Sequence, residues 1–182
     1  MHDYPVQTAE TAAQPARPVL EQVEKAFGIV PNIAGAMANS PELLRGFWGL
    51  FSQVHAGSFS EAEIQTLLLT NAVTNASSWA VAFHSMLALK EGLDPQDVTS
   101  IRSGRLPADA RLAALSAYAR ALIETRGQIG EDAIVPFLKA GFSRAQSLEV
   151  LAVTAASTIT NYTGSITNPP LEDFLRQHAW PD

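Results

Sequence analysis

The sequence predicts a single all-α domain, and three observations support this prediction. Apolar residues recur at helical spacing in one segment after another, as in the run Leu43, Leu44, Phe47 and Phe51. Patterns that start helices alternate with glycines that end them. Val and Ile fall within these helical periods instead of alternating as they would in strands. A chain of 182 residues suits one domain with one sizeable core, for which we expect about eight helices.

The helices of the first half are delimited by capping residues. A short helix from Leu20 to Phe27 stops at Gly28. Ser40-Pro41 starts a helix that ends at Gly57, and the capping box Ser60-Glu-Ala-Glu63 starts one that reaches about Thr74. A central helix then runs from about Ser77 to Glu91, with Gly92 as its C-cap.

The second half is delimited in the same way. The predicted helices run over about 95–103, 108–126, 132–140, 143–162 and 171–178. Ser143-Arg-Ala-Gln146 is a second capping box. The helix that it opens is apolar nearly all round after Glu149, which predicts burial either in the centre of the domain or in a subunit interface.

The ends of the chain differ in character. Residues 1–17 contain Pro5 and Pro15 among scattered polar and alanine residues, so we expect a flexible N-terminal arm. Residues 18–182 form the predicted helical domain.

Composition excludes several classes of function. The net charge is −6 and no basic cluster is present, so nucleic acid is not an expected partner. No apolar run is long enough to cross a membrane and no secretory signal is visible, which predicts a cytoplasmic protein. The chain has no cysteine, which excludes disulfides, thiolate nucleophiles and thiol redox chemistry. The 47% hydrophobic content indicates surface buried between subunits, although a large helical core would look similar.

One ionisable side chain, His84, lies in the middle of the small-residue stretch 70–89. Ser77, Ala80 and His84 share one helix face by their spacing, and the small residues leave room beside the imidazole. This face is therefore a candidate pocket wall, with His84 as a general acid or base or as a buried, hydrogen-bonded histidine. Ser77 is either a nucleophile activated by His84 or a helix N-cap, a role for which Ser78 competes.

Other polar residues have alternative interpretations. His55 lies in the last turn of its helix, where a cation complements the helix dipole. Asn161 and Tyr162 close a very apolar helix, so they need partners across a pocket or interface, or they contact a substrate. The four histidines lack metal-ligand spacing, so no metal site is expected.

Several segments follow one another in a recognisable order. They are Lys25-Ala-Phe-Gly-Ile-Val-Pro-Asn32, Ser40-Pro-Glu-Leu-Leu44, Asn75-Ala-Ser-Ser-Trp-Ala-Val-Ala-Phe-His84, Gly92-Leu-Asp94, Ala140-Gly-Phe-Ser-Arg-Ala145 and Asn161-Tyr162. In this order they resemble the carboxymuconolactone decarboxylase and alkylhydroperoxidase D-like superfamily, and the resemblance covers roughly residues 20–165. It implies an all-helical domain that forms homo-oligomers, from dimers to hexamers.

The peroxidase branch of that family uses Cys-x-x-Cys, a His four residues later and a Glu twelve residues before the first Cys. These positions are Ser77, Ala80, His84 and Gln65 in this chain. Three of the four chemical groups are absent, so the resemblance does not imply thiol peroxidase activity. Gln65 is either a polar partner of the His84 face or a solvent-exposed residue.

The decarboxylase branch acts on a small lactone without a metal or organic cofactor, and a helix histidine is part of its site. The resemblance therefore implies a cofactor-independent acid/base enzyme, a decarboxylase or isomerase, that uses His84 on a small organic acid or lactone. The alternative is a non-catalytic, oligomeric ligand-binding member. The predicted pocket residues are Gln65, Ser77, Ala80, Asn161 and Tyr162.

Overall fold

The all-α prediction is confirmed. The computed structural model describes residues 4–180, and no strand occurs in that range. Its nine α-helices are α1 Arg17–Phe27, α2 Asn32–Met37, α3 Pro41–His55, α4 Glu61–Thr74, α5 Ser78–Lys90, α6 Pro95–Arg102, α7 Ala110–Glu124, α8 Glu131–Lys139 and α9 Arg144–Thr167. Two 3-10 helices, Gln14–Ala16 and Asp173–His178, flank them. None of these described helices is long and apolar enough to span a membrane.

Both predicted capping boxes are present. Ser60 Oγ accepts from the Glu63 N–H at 3.3 Å, and the Glu63 carboxylate accepts from the Ser60 N–H at 2.9 Å. Ser143 and Gln146 make the same reciprocal pair at 3.1 and 2.9 Å. Each box satisfies two backbone donors that a helix start leaves unpaired, which fixes where α4 and α9 begin.

The predicted end of α9 at Tyr162 is wrong, because the helix continues to Thr167. Its polar last turn stays helical since the side chains bond within it: Thr167 Oγ1 donates to the Thr163 carbonyl at 2.7 Å. The helix stops at Asn168, which adopts a left-handed conformation with φ 44°. The last predicted helix is also corrected: residues 173–178 form a 3-10 helix, not an α-helix.

The centre of the domain is the pair α4 and α5. Every residue of α4 from Glu63 to Ala72 is buried, and α5 is buried from Trp79 to Ser85. Helix α4 packs against α5 on one side and against α7 and α9 on others. Polar side chains on either helix must therefore find partners inside the protein.

The N-terminal segment packs against α2. The Gln7 N–H donates to the Gly35 carbonyl at 3.1 Å, and the side chain of Ala12 is buried in the core. Residues 1–3 of the predicted arm lie outside the described residues, and its flexibility stays a prediction. The predicted boundary between residues 17 and 18 falls inside α1, which begins at Arg17, and this division of the chain stays a prediction.

Arg102, at the end of α6, connects the C-terminal segment to the central helix. Its guanidinium donates to Ser85 Oγ at 2.8 Å and to the carbonyls of His178 and Ala179 at 2.9 and 2.8 Å. The Trp180 indole N–H donates back to the Arg102 carbonyl at 3.0 Å. These bonds hold Ala179 and Trp180 against the C-terminal end of α6.

Helix α9 has two different faces. Its inner face is buried, and its outer face carries large apolar side chains, with Leu148, Leu151, Tyr162 and Ile166 exposed by 70%, 52%, 56% and 60%. We call Leu148, Leu151, Ala155, Tyr162 and Ile166 the α9 outer face. The sequence predicted burial in the centre or in an interface, and within one chain only the inner face of this helix is buried.

Candidate functional site

His84 lies at the end of the second turn of α5 and is almost completely buried. Its Nδ1 lies 3.0 Å from Gln65 Oε1 on α4. Because an amide oxygen only accepts, His84 Nδ1 carries the proton, and Nε2 is the unprotonated nitrogen in the neutral ring. The partnership of Gln65 with the His84 face, one of the two alternatives for Gln65, is therefore present.

A cavity of about 410 Å³ lies beside this pair, between α1, α3, α4 and α5. Its walls combine aromatic rings with a few polar groups. The lining residues are Ala26, Phe27, Trp48, Phe51, Ser52, His55, Glu61, Gln65, Leu68, Phe83, His84, Leu87, Lys90 and Glu91. An apolar cavity with a few converging polar groups is typical of a small-molecule site.

Two polar atoms of the pair remain available to a ligand. No residue in the range 4–180 bonds His84 Nε2 or Gln65 Nε2, and neither atom is among the fully buried, unpaired atoms. Both residues line the cavity, so these atoms face it. The cavity thus offers an acceptor, His84 Nε2, next to a donor, the Gln65 amide.

Burial sets the charge of His84. Removal from water lowers the pKa of His84 to about 3, and a positive charge on nearby His55 acts in the same direction. His84 is therefore a neutral imidazole at physiological pH. It can accept a hydrogen bond or a proton from a ligand, but it does not carry a charge of its own.

His55 is a second histidine that lines the same cavity. From the sequence, its position in the last turn of α3 predicted only a favourable interaction with the helix dipole. Its Nδ1 lies 3.0 and 3.1 Å from the two carboxylate oxygens of Glu61. Its Nε2 is buried without a partner, and its ring lies 4.4 Å from that of Phe51, between ring centroids. A signal for this pair existed, because His55 ends α3 and Glu61 starts α4, separated by one short loop.

A smaller apolar space of about 40 Å³ extends from His84 towards α2 and α9. It shares Phe27, Trp48, Phe51, Phe83 and His84 with the larger cavity and reaches Trp79 and Thr160. The aromatic wall therefore continues from the cavity into the core behind His84.

The other predicted pocket residues do not share this cavity. Ser77 lines a different cavity at the N-terminal end of α5, and Ala80 is fully buried and lines none of the cavities described here. Asn161 is fully buried and donates to Ser157 Oγ at 3.3 Å, while its Oδ1 is buried without a partner. Tyr162 points outward on α9. Roles for these four residues in binding stay predictions.

Within residues 4–180, no group of three or more His, Asp or Glu side chains is arranged to hold a metal ion. The polar groups of the cavity include two hydrogen-bonded pairs, His84 with Gln65 and His55 with Glu61.

No family model matches the chain, and no curated protein sequence matches it either. Solved structures do match it along nearly its whole length. A peroxidase-related protein of Ralstonia eutropha JMP134 with an alkylhydroperoxidase AhpD core is 17% identical, covers 96% of both chains and gives a TM-score of 0.83.

The chain has the alkylhydroperoxidase AhpD-like fold.

Two further solved structures share this AhpD-like fold with the chain. A Cys-to-Ala variant of the debrominase Bmp8, in complex with 2,3,4-tribromopyrrole, is 17% identical, covers 98% of this chain and 96% of its own, and gives a TM-score of 0.80. A peroxidase-related protein of Silicibacter sp. TM1040 is 20% identical, covers 96% of this chain and 92% of its own, and gives a TM-score of 0.78. At these identities the likeness establishes the fold and leaves the activity open.

The buried histidine predicts a pH dependence of stability. Unfolded His84 takes up a proton below about pH 6.5, whereas the folded protein keeps it neutral down to about pH 3. The unfolded state then binds more protons in this window, so the free energy of unfolding falls as the pH falls, by up to about 1.4 kcal/mol per pH unit. Urea unfolding of the wild type and of His84→Gln across the window measures this slope as their difference.

The His178→Gln variant is the control, since it removes a histidine outside the cavity. Its free energy of unfolding should keep the larger part of the wild-type dependence on pH. Equal slopes for the wild type and His84→Gln would show that His84 is not held neutral by burial.

Proposed function

We propose that this AhpD-like chain is a cofactor-independent acid/base enzyme that acts on a small organic acid or lactone, by decarboxylation or isomerisation, in the cavity beside His84. The observation that carries the proposal is the pairing of His84 with Gln65 at 3.0 Å on the wall of a 410 Å³ cavity. Such a cavity has the size of a small-molecule site.

The two open atoms match the chemistry of such a substrate. A carboxylic acid presents a hydroxyl next to a carbonyl oxygen, and a lactone presents the carbonyl oxygen alone. The hydroxyl can donate to His84 Nε2, and the carbonyl oxygen can accept from the Gln65 amide. Proton transfer to His84 then needs a negative charge nearby, because burial alone disfavours the imidazolium.

An anionic substrate supplies that charge itself. A carboxylate beside His84 favours the protonated ring and raises its pKa, so substrate binding and proton uptake are coupled. Lys90 lines the mouth of the same cavity and has no ion pair with another described residue, so it can attract an acid. His55 and Glu61 add a second pair of groups that can exchange protons.

A second candidate function is supported by the low pKa of His84. A ring that stays neutral is better suited to hydrogen bonding than to proton exchange near pH 7. On this alternative the chain is a non-catalytic, oligomeric ligand-binding protein, and His84 with Gln65 only recognises the ligand. A cytoplasmic location and independence from metals and cofactors remain predictions from the sequence.

The enzyme proposal is tested by incubating the protein with a panel of small lactones and β-keto acids and following substrate loss by proton NMR. We expect turnover of at least one compound, reduced on the order of 100-fold or more in His84→Gln because general acid/base groups contribute that much. The matched control His178→Gln should retain wild-type turnover, and thermal melting confirms that both variants are folded.

The two candidates give different outcomes. Saturable binding that His84→Gln weakens, without turnover of any compound, would replace the enzyme by the binding protein. Turnover that is unchanged in His84→Gln would contradict both, since each assigns the site to His84.

Self-association belongs to the same proposal, and the α9 outer face is the surface that would carry it. Its members are separated by three, four, seven and four residues, the spacing of a helix seam that packs on another helix. None of them is charged, and four of them are large apolar side chains exposed to solvent. A second copy of the chain would remove this apolar surface from water.

We therefore expect the wild type to elute as an oligomer in size-exclusion chromatography with light scattering. Leu151→Glu places a charge in the middle of the α9 outer face and should yield monomers with unchanged helical content. The control Leu106→Glu changes another exposed leucine, in the loop between α6 and α7, and should leave the oligomer intact. A monomeric wild type would contradict the proposal.

A further inference from the structure

The cavity that Ser77 lines has no part in the chemistry at His84. It measures about 390 Å³ and lies at the N-terminal end of α5, against the end of α9 and the C-terminal segment. Its lining residues are Ala76, Ser77, Ser78, Trp79, Gly164, Ser165, Asn168, Pro169, Pro170, Leu171, Ala179 and Trp180. We propose that this cavity binds a monocarboxylate with an apolar body, whose carboxylate is held by Ser77 and the N-terminus of α5.

The side chain of Ser77 is buried, and its hydroxyl has no hydrogen-bond partner among the described residues. Ser77 occupies the N-cap position of α5, with φ −97° and ψ 94°, yet its side chain makes no cap bond. Its exposure is 4%, and no described residue bonds its Oγ, although this atom is not among the fully buried, unpaired ones. The hydroxyl of a buried serine without a partner is a donor that points to a ligand.

The backbone supplies two further donors at the same place. Ser78 and Trp79 line the cavity, and their N–H groups have no acceptor within the described part of the chain. Two residues further along, the Val81 N–H bonds the Ser77 carbonyl at 2.9 Å. Helix α5 has 13 residues, so its dipole adds a partial positive charge at this end. A carboxylate is the natural acceptor for this set of donors.

Gly164 of α9 leaves the space that a carboxylate would occupy. A Cβ built on this residue would lie 3.4 Å from Ser77 Oγ and 3.7 Å from Ile33 Cδ1. These are ordinary contact distances, so a methyl group fits but fills the space beside the hydroxyl. Gly164 is thus a position where a single methyl group tests the site without disturbing the fold.

The surroundings select one negative charge and an apolar body. No Lys, Arg or His side chain lines the cavity. The Glu172 carboxylate lies close by, where it accepts from the Trp79 indole N–H at 3.0 Å and from the Asn32 N–H at 2.7 Å. Its negative charge opposes a dianion such as phosphate more strongly than a monocarboxylate, because the repulsion grows with the charge of the ligand. The rings of Trp79 and Trp180 favour an apolar or aromatic body.

Benzoate is the probe, with benzamide as its neutral counterpart and inorganic phosphate as the dianion. Titration of the full chain is followed by the amide shifts of Ser78, Trp79 and Ala80 in proton–nitrogen NMR spectra at constant ionic strength. We expect benzoate to saturate these shifts, and benzamide and phosphate to bind about tenfold more weakly or not at all, because hydrogen bonds to a charged group are the stronger ones.

Three variants separate this site from other effects. Gly164→Ala should abolish the benzoate shifts at an unchanged or higher melting temperature, since alanine favours a helix over glycine. Ser77→Ala should weaken benzoate about tenfold. Ser165→Ala is the matched control in the same cavity: its hydroxyl donates to the Asn161 carbonyl at 3.1 Å, so binding should be unchanged.

The site is independent of the proposed enzyme, so His84→Gln should leave the benzoate shifts at Ser78 to Ala80 in place. Equal binding of benzoate and benzamide would overturn the assignment of a carboxylate. Benzoate shifts that persist in Gly164→Ala would overturn the placement of the site, and so would their loss in Ser165→Ala.

Discussion

The hydrogen bond between His84 and Gln65 joins the two most buried helices of the domain, and the rest of the site depends on it. Helices α4 and α5 are covered on nearly all sides, so a polar group on either must be paired inside the protein. One nitrogen of the imidazole is satisfied by Gln65 and the other opens to a cavity. This arrangement fixes the ring, its tautomer and the direction in which it can act.

The same burial defines the chemistry available. A ring removed from water stays neutral, so charge at this site has to come from a ligand or from the pair of His55 and Glu61. The chain has no cysteine, so the site offers no thiol chemistry. It retains hydrogen-bonding groups, aromatic walls and space, which suits recognition and proton transfer.

Much of the fold could be predicted because the signals are local. Both capping boxes and the helix start at Ser40 depend on residues within one turn, and all three are present. The end of α9 could not be predicted, since its polar last turn is stabilised by side-chain bonds within the helix, and Asn168 supplies the left-handed stop.

The site was predicted less completely, for geometric reasons. Ser77 and His84 do share one face of α5, but they are two turns apart, about 10 Å along the axis. Ala80 is packed between them, so each opens to its own cavity. The pairing of His55 with Glu61 depends on how α3 and α4 meet, which hydrophobic periodicity does not report.

The central claim is that His84 is a neutral imidazole whose Nδ1 proton is held by Gln65 and whose Nε2 faces the cavity. Long-range proton–nitrogen NMR correlations of the histidine rings at about pH 5, below the ordinary histidine pKa, test it most directly. We predict that His84 shows a protonated Nδ1 and an unprotonated Nε2 at that pH, and that the Nε2 resonance shifts when a ligand binds. A doubly protonated ring, or a neutral ring with its proton on Nε2, would contradict it.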